Sequence, residues 1–184
     1  MYWYNTIKET FVTTSVLLLL SGSYACNKPE IKETGAELKY FDLKGYFKQQ
    51  ADQLKQANPE VNKSVAHNGT TEAKKVHITA WSQELNLFAE SDINKPAWRS
   101  SYAVKSNADS IIYTALSPEL KTRQVIIRKN GANVTEIAIF NSAHNFLYNT
   151  TERLVYMPGK YYSIDKNQKV KVMGANDYRI KGNF

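Results

Sequence analysis

The sequence predicts an α+β domain, with one or two N-terminal helices packed on a curved antiparallel β-meander of about seven to ten strands. Three observations lead there. Apolar residues recur at helical spacing between Asp42 and Asn58, the period changes to two beyond Ser100 and holds almost to the end, and the links between the later segments are short. Short links rich in Asn, Gly, Pro and Ser suit antiparallel neighbours, because parallel crossovers need a dozen or more residues.

Residues 1–25 read as a secretion signal that precedes this domain. Lys8 lies in a short polar start, Phe11 to Leu20 form an apolar run ending in four leucines, and Ser21 to Ala25 are mostly small. The run covers about 10 residues, half of the roughly 20 that cross a bilayer, so it is expected to be cleaved. Cys26 follows it, and Ser23-Tyr24-Ala25-Cys26 resembles a lipobox, with Ser23 where leucine is usual and a bulky Tyr24. Cys26 is therefore the expected acylation site and mature N-terminus. It is also the only cysteine, which leaves no disulfide within the chain and puts the burden of stability on packing. Residues 26–39 have alternating charge, one Pro, one Gly and few bulky apolar side chains, the composition of a tether. One domain, residues 40–184, remains, and the 184-residue chain is too short for two comfortable ones.

Within the domain, Leu43, Phe47, Ala51 and Leu54 line one face of a first helix, with Asp42 as N-cap and Asn58-Pro59 as stop. Val61 to His67 and Thr70 to Ile78 flank Asn68-Gly69, a hairpin turn, and their weak alternation places that hairpin at a sheet edge. Trp81, Leu85 and Phe88 suggest a second helix ending before Asn94-Lys95-Pro96. Eight strand segments follow: 101–105, 110–116, 123–129, 134–140, 146–157, 161–164, 169–173 and 178–180, with Gly174-Ala175-Asn176-Asp177 as the final turn. Val125 and Ile127, like Ile137 and Ile139, alternate with residues that do not make a cleanly polar face. Such a sheet is expected to be covered on both sides, by helices on one and by curling or a ligand on the other.

The net charge of +7 persists without the signal, since Lys8 and Glu9 leave together. A basic surface suits acidic lipid, envelope polysaccharide or nucleic acid, and export makes nucleic acid the least suited of the three. Three histidines, His67, His77 and His144, are too scattered for a metal site, and no HExxH, GxSxG, SxxK or P-loop is present. Glu72, Glu84, Glu90, Asp92, Glu136 and Glu152 read as solvated surface groups. No cofactor is expected. The most specific-looking stretch is Ser91 to Arg99, a candidate recognition loop through Asp92, Lys95, Trp98 and Arg99; a purely structural use has Trp98 plugging the core and Asp92 capping a turn. Most of the twelve tyrosines are explained by core packing.

The lipobox, Phe41-Asp42-Leu43-Lys44-Gly45-Tyr46-Phe47, Asn68-Gly69-Thr70-Thr71-Glu72, Ser91 to Trp98, and Asp177-Tyr178-Arg179-Ile180-Lys181-Gly182 together resemble a family of uncharacterised lipoproteins from Bacteroidetes. That resemblance implies an envelope location and acylation of Cys26, and no activity. In architecture a helix ahead of a long meander is similar to half-barrel lipoprotein carriers of the bacterial envelope. The expected function is a non-enzymatic binding or assembly module at the outer membrane, attached through its lipid, with envelope proteins or an apolar ligand as partners. A carrier of lipid or another apolar ligand is the alternative, and an envelope hydrolase the third.

Overall fold

The structure is a computed structural model of the chain, and it describes residues 38–171 and 174–184. The expected signal (1–25), Cys26 and nearly all of the tether lie outside the described residues, as do Val172 and Met173 at the end of the expected segment 169–173. Leu38–Phe184 form one compact unit.

Helix α1 spans Leu43–Ala57. The Asp42 carboxylate accepts the Gly45 N–H at 2.7 Å and so satisfies one of the orphan donors of the first turn. Asn58 ends the helix in the left-handed region (φ 42°), donating its N–H to Leu54 O. Leu43, Phe47 and Ala51 are buried, while Lys44, Lys48, Gln49, Asp52 and Lys55 face water. The chain then makes β1 (Glu60–His67) and β2 (Thr70–His77) around Asn68 (φ 48°) and Gly69 (φ 89°). Two successive positive φ angles are what a two-residue hairpin turn of matching twist demands, and Asn-Gly meets the demand at least steric cost.

The second expected helix is two single turns, α2 (Trp81–Glu84) and α3 (Asn86–Glu90), and a 3₁₀ turn follows at Pro96–Trp98. The described chain therefore holds more helices than the one or two expected. Leu85 divides α2 from α3 at φ −96°, ψ 8°, yet Trp81, Leu85 and Phe88 still point to one side and are all buried. The spacing reported the buried face correctly and the backbone continuity wrongly.

Seven strands complete the domain: β3 (Tyr102–Ser106), β4 (Ser110–Ala115), β5 (Thr122–Asn130), β6 (Asn133–His144), β7 (Tyr148–Met157), β8 (Tyr161–Val170) and β9 (Gly174–Asn183). Two corrections arise near the end. Segments 161–164 and 169–173 belong to one strand as far as Val170, and Gly174-Ala175-Asn176-Asp177 is the start of β9 rather than a turn. The residues between, Asp165 to Gln168, offer no apolar signal. They stay extended because β8 is paired over its whole length with β7 on one side and β9 on the other.

All nine described strands form one open antiparallel sheet in the order β2-β1-β9-β8-β7-β6-β5-β4-β3. β2 is an edge, as the weak alternation of the first hairpin predicts, but β1 is interior because it pairs with β9. The helices lie on one face. Val61, Val125, Ile127, Ile137, Ile139, Leu154, Tyr156, Tyr162 and Ile164 project toward them and are buried. Phe47 meets Phe88 at 4.8 Å and Tyr156 at 5.3 Å between ring centroids, and Trp81 meets Tyr162 edge-on at 6.1 Å. Tyr162 lies across Gly182, opposite it on β9, where a Cβ would sit 2.2 Å from the ring. Its hydroxyl donates to Glu84 at 2.6 Å, and Lys63 pairs with the same carboxylate at 2.7 Å.

Gly182→Ala is expected to lower stability by about 1–3 kcal/mol, the usual result of overpacking, because Tyr162 is held from both ends; urea unfolding measures it. Burial also pushes Tyr46 and Tyr102 up to about 12, and raises Tyr156 and Tyr162 further, the latter with help from Glu84. These groups stay protonated in the fold while the unfolded chain ionises near pH 10, so their contribution is complete below about pH 10 and is lost as pH rises toward their folded values. The urea midpoint should therefore fall steadily from pH 10 upward, tracked by tyrosinate absorbance that appears only on unfolding.

Candidate functional site

The loop from Ser91 to Arg99 divides between two tasks. Asp92 accepts the Leu43 N–H at 3.2 Å and, with its other oxygen, the Asn94 N–H at 3.1 Å. Asn94 in turn bonds the backbone of Tyr40 and Phe41 through its side chain. Asp92 thus clamps the chain where it enters α1. Trp98 is half-buried against Tyr102, at 6.5 Å, with the Lys95 ammonium 4.1 Å from its ring. The carbonyls of Trp98 and Arg99 accept the Tyr40 hydroxyl at 3.3 and 2.7 Å. Lys95, Trp98 and Arg99 share one end of the sheet, and Asp92 is turned inward to the α1 start.

A second cluster was not foreseen. Ser91, Thr122, Asn141 and Glu152 are buried together under the sheet. Asn141 Nδ2 donates to Ser91 Oγ at 2.9 Å and to Glu152 Oε2 at 3.2 Å, and Lys121 and Lys166 pair with Glu152 at 3.7 and 3.3 Å. The chemistry of this group is that of a structural polar junction. Ser91 Oγ gives its proton to Leu87 O at 2.7 Å and receives a proton from Asn141, so no base faces the hydroxyl. Asn141 Oδ1 and Trp81 Nε1 are buried without a hydrogen-bond partner among the described residues.

Three of the other candidate carboxylates have partners of their own. Glu84 holds Lys63 and Tyr162, Glu90 accepts from Asn86, and Glu136 pairs with Arg128 at 3.5 Å. His67 lies opposite Thr70 and His77 opposite Glu60, so the two histidines stand at opposite ends of the first hairpin. No group of three or more His, Cys, Asp or Glu able to hold a metal occurs among the described residues.

An open groove of about 500 Å³ lies on the sheet face away from the helices. Its floor is one row across five strands. Phe140 on β6 pairs with Arg153 on β7, Arg153 with Asp165 on β8, Asp165 with Arg179 on β9, and Arg179 with Ala66 on β1. Arg179 binds the Asp165 carboxylate, and in the next row Asn167 binds that of Asp177. Arg153 has no ion-pair or hydrogen-bond partner among the described residues, and it stands beside the 45 % exposed Phe140. The row is invisible to spacing along the chain. It exists only once five strands are in register, and the one local hint is the failure of β5 and β6 to show a cleanly polar face.

No family model, no curated protein and no solved structure matches the chain. No described helix is long and apolar enough to cross a membrane.

Neighbouring residues of β7 should separate structure from surface. Glu152→Ala strips Asn141 of one of its two acceptors and releases two lysines, and is expected to cost about 1–3 kcal/mol. Arg153→Ala, on the opposite face of the same strand, should stay within about 0.5 kcal/mol of the parent. Thermal unfolding of the two variants gives the comparison.

Proposed function

We propose that this chain is a membrane-anchored binding or assembly module of the bacterial outer membrane, attached through a lipid on Cys26 and working without catalysis. The open sheet is read as a half-barrel whose hollow is occupied by its own helices. Phe47, Trp81, Leu85 and Phe88 fill the space against Tyr156 and Tyr162 that a carrier would keep for acyl chains. Filling of that side favours the binding module over the carrier. The surface left for a partner is the opposite face.

The observation that carries the proposal is Arg153, an exposed and unpartnered guanidinium beside Phe140 in a groove whose other charges are satisfied among themselves. A guanidinium takes carboxylate or phosphate in a two-pronged hydrogen bond, and an adjacent aromatic ring favours a partner with an apolar or planar neighbour to its anion. Envelope proteins with an exposed acidic group fit that description. In the buried polar cluster Ser91 Oγ gives its proton to Leu87 O, and Asn141 stands between it and the Glu152 carboxylate, which weighs against the hydrolase.

The test uses the full-length protein with a photo-crosslinking residue in place of Phe140, expressed in a bacterium of the envelope type. A discrete adduct that disappears when Arg153 is changed to Glu is expected, and the intact mass should carry a lipid increment that Cys26→Ser abolishes. A crosslinking pattern unchanged by Arg153→Glu refutes the groove. A free thiol on Cys26 refutes the anchor, and an organic-extractable adduct held without covalent linkage would restore the carrier.

A further inference from the structure

Strands β6 to β9 overshoot their neighbours. β5 begins at Thr122, opposite Asn141, and β1 ends at His67, opposite Tyr178. Beyond that level β6 runs on to His144 and β8 to Val170, so their ends project past the rest of the sheet. Phe146 and Leu147 sit in the β6–β7 turn, 82 % and 61 % exposed, with Tyr148 next to them. Lys169 and Lys171 flank this tip across a shallow recess, the Lys171 ammonium lying 4.2 Å from the Phe146 ring. Neither lysine has an ion pair among the described residues.

The antiparallel register sets the same end for β3, β4 and β5: β3 starts there, β4 finishes there and β5 starts there. Leu116, 66 % exposed, follows β4, and Leu38, 53 % exposed, stands just ahead of Tyr40, which is bonded to the loop before β3. Exposed Lys95 and Lys121 add positive charge, and the exposed acids in this region are Glu90, Glu119 and, on the projecting start of β9, Asp177, which Asn167 binds. No exposed large apolar side chain lies at the opposite end among the described residues.

We propose that this end of the sheet is a contact surface for anionic lipid, with Phe146 and Leu147 entering the boundary between headgroups and acyl chains and Lys169 and Lys171 meeting lipid phosphates. Apolar side chains on a narrow projection, ringed by cations, combine the two attractions that hold interfacial segments on an anionic bilayer. A projecting turn offers little of the roughly 1,000 Å² that a stable protein interface needs, so lipid fits it better than a protein partner. The proposal rests on the anchored reading and adds an orientation to it. Leu38 is twelve residues beyond Cys26, a reach of at most roughly 40 Å, and strand spacing puts the β3 start about 15–20 Å from the β6–β7 turn. An anchor on Cys26 can therefore hold a bilayer at the end where the tip projects.

The test exploits the chain's single cysteine. In the acylated full-length protein its sulfur is blocked, so Leu147→Cys offers one thiol for an environment-sensitive fluorophore. The protein is floated with vesicles of phosphatidylethanolamine and phosphatidylglycerol that contain a nitroxide-bearing lipid. The label at position 147 is expected to shift blue, brighten severalfold and be quenched, while a label at Asn130→Cys, where β5 finishes at the far end, stays aqueous. Salt, phosphatidylcholine vesicles and the Lys169→Glu/Lys171→Glu pair should each reverse the shift. An aqueous signal at 147 in protein that floats overturns the tip contact, leaves the anchor standing and turns attention to a protein at the tip. Protein that does not float overturns the anchor instead; the Cys26→Ser form carrying the same label, added to the vesicles at high lipid, then decides the tip by the same contrast.

Discussion

The ladder between β1 and β9 is the constraint on which the domain depends. Six residue pairs, from Asn62 opposite Asn183 to His67 opposite Tyr178, join the first hairpin to the last strand. Without it the hairpin would be two isolated strands, which are marginal in water, and Val61 would be lost from the floor on which the helices pack. The ladder also assembles the interior. It brings Lys63 of β1 to Glu84 of α2, and Glu84 to Tyr162, which rests on Gly182 of β9. One carboxylate, half of an ion pair and acceptor from a phenol, thus sits where hairpin, helix and meander meet. Partly buried pairs of this kind define an arrangement more than they add net stability, since desolvation offsets much of their attraction.

Much of this was legible in the sequence, for reasons that differ by element. α1 could be read with its cap and stop because cap chemistry and a 3.6-residue period are both local: Asp42, Gly45 and Asn58 act within a few residues of one another. The hairpin turn was legible for the same reason. β8 was split because Asp165 to Gln168 are held by neighbouring strands rather than by burial, and strand partners leave no mark on the strand's own sequence. The start of β9 was misread as a turn because Gly174-Ala175-Asn176-Asp177 has turn composition, which pairing with β8 overrides.

The candidate sites were less legible still. Asp92 and Trp98 drew attention as local oddities, and Asp92 serves the fold by holding the backbone of Leu43 and the side chain of Asn94. The groove row from Phe140 to Arg179 draws single residues from separate strands. Its members are unremarkable one by one. The two faces of β7 illustrate the division: Glu152 is buried in a polar junction, and Arg153, one residue on, stands in the open. A period of two assigns residues to faces, but only register tells which residues on a face are neighbours.

The open sheet leaves two edges, and they are protected differently. β3 is five residues long, whereas β2 has eight and carries Lys74 and Lys75 in a run that is almost wholly exposed. Exposed edges are templates for further strands, and lysine along an edge discourages a second copy from docking there. Under the proposed lipid anchor the hazard would be sharper, because copies confined to a plane meet far more often than the same number free in a volume. Charge on β2 would then be a condition of crowding: it would let many anchored molecules stand side by side on one surface without zipping their sheets into a fibre.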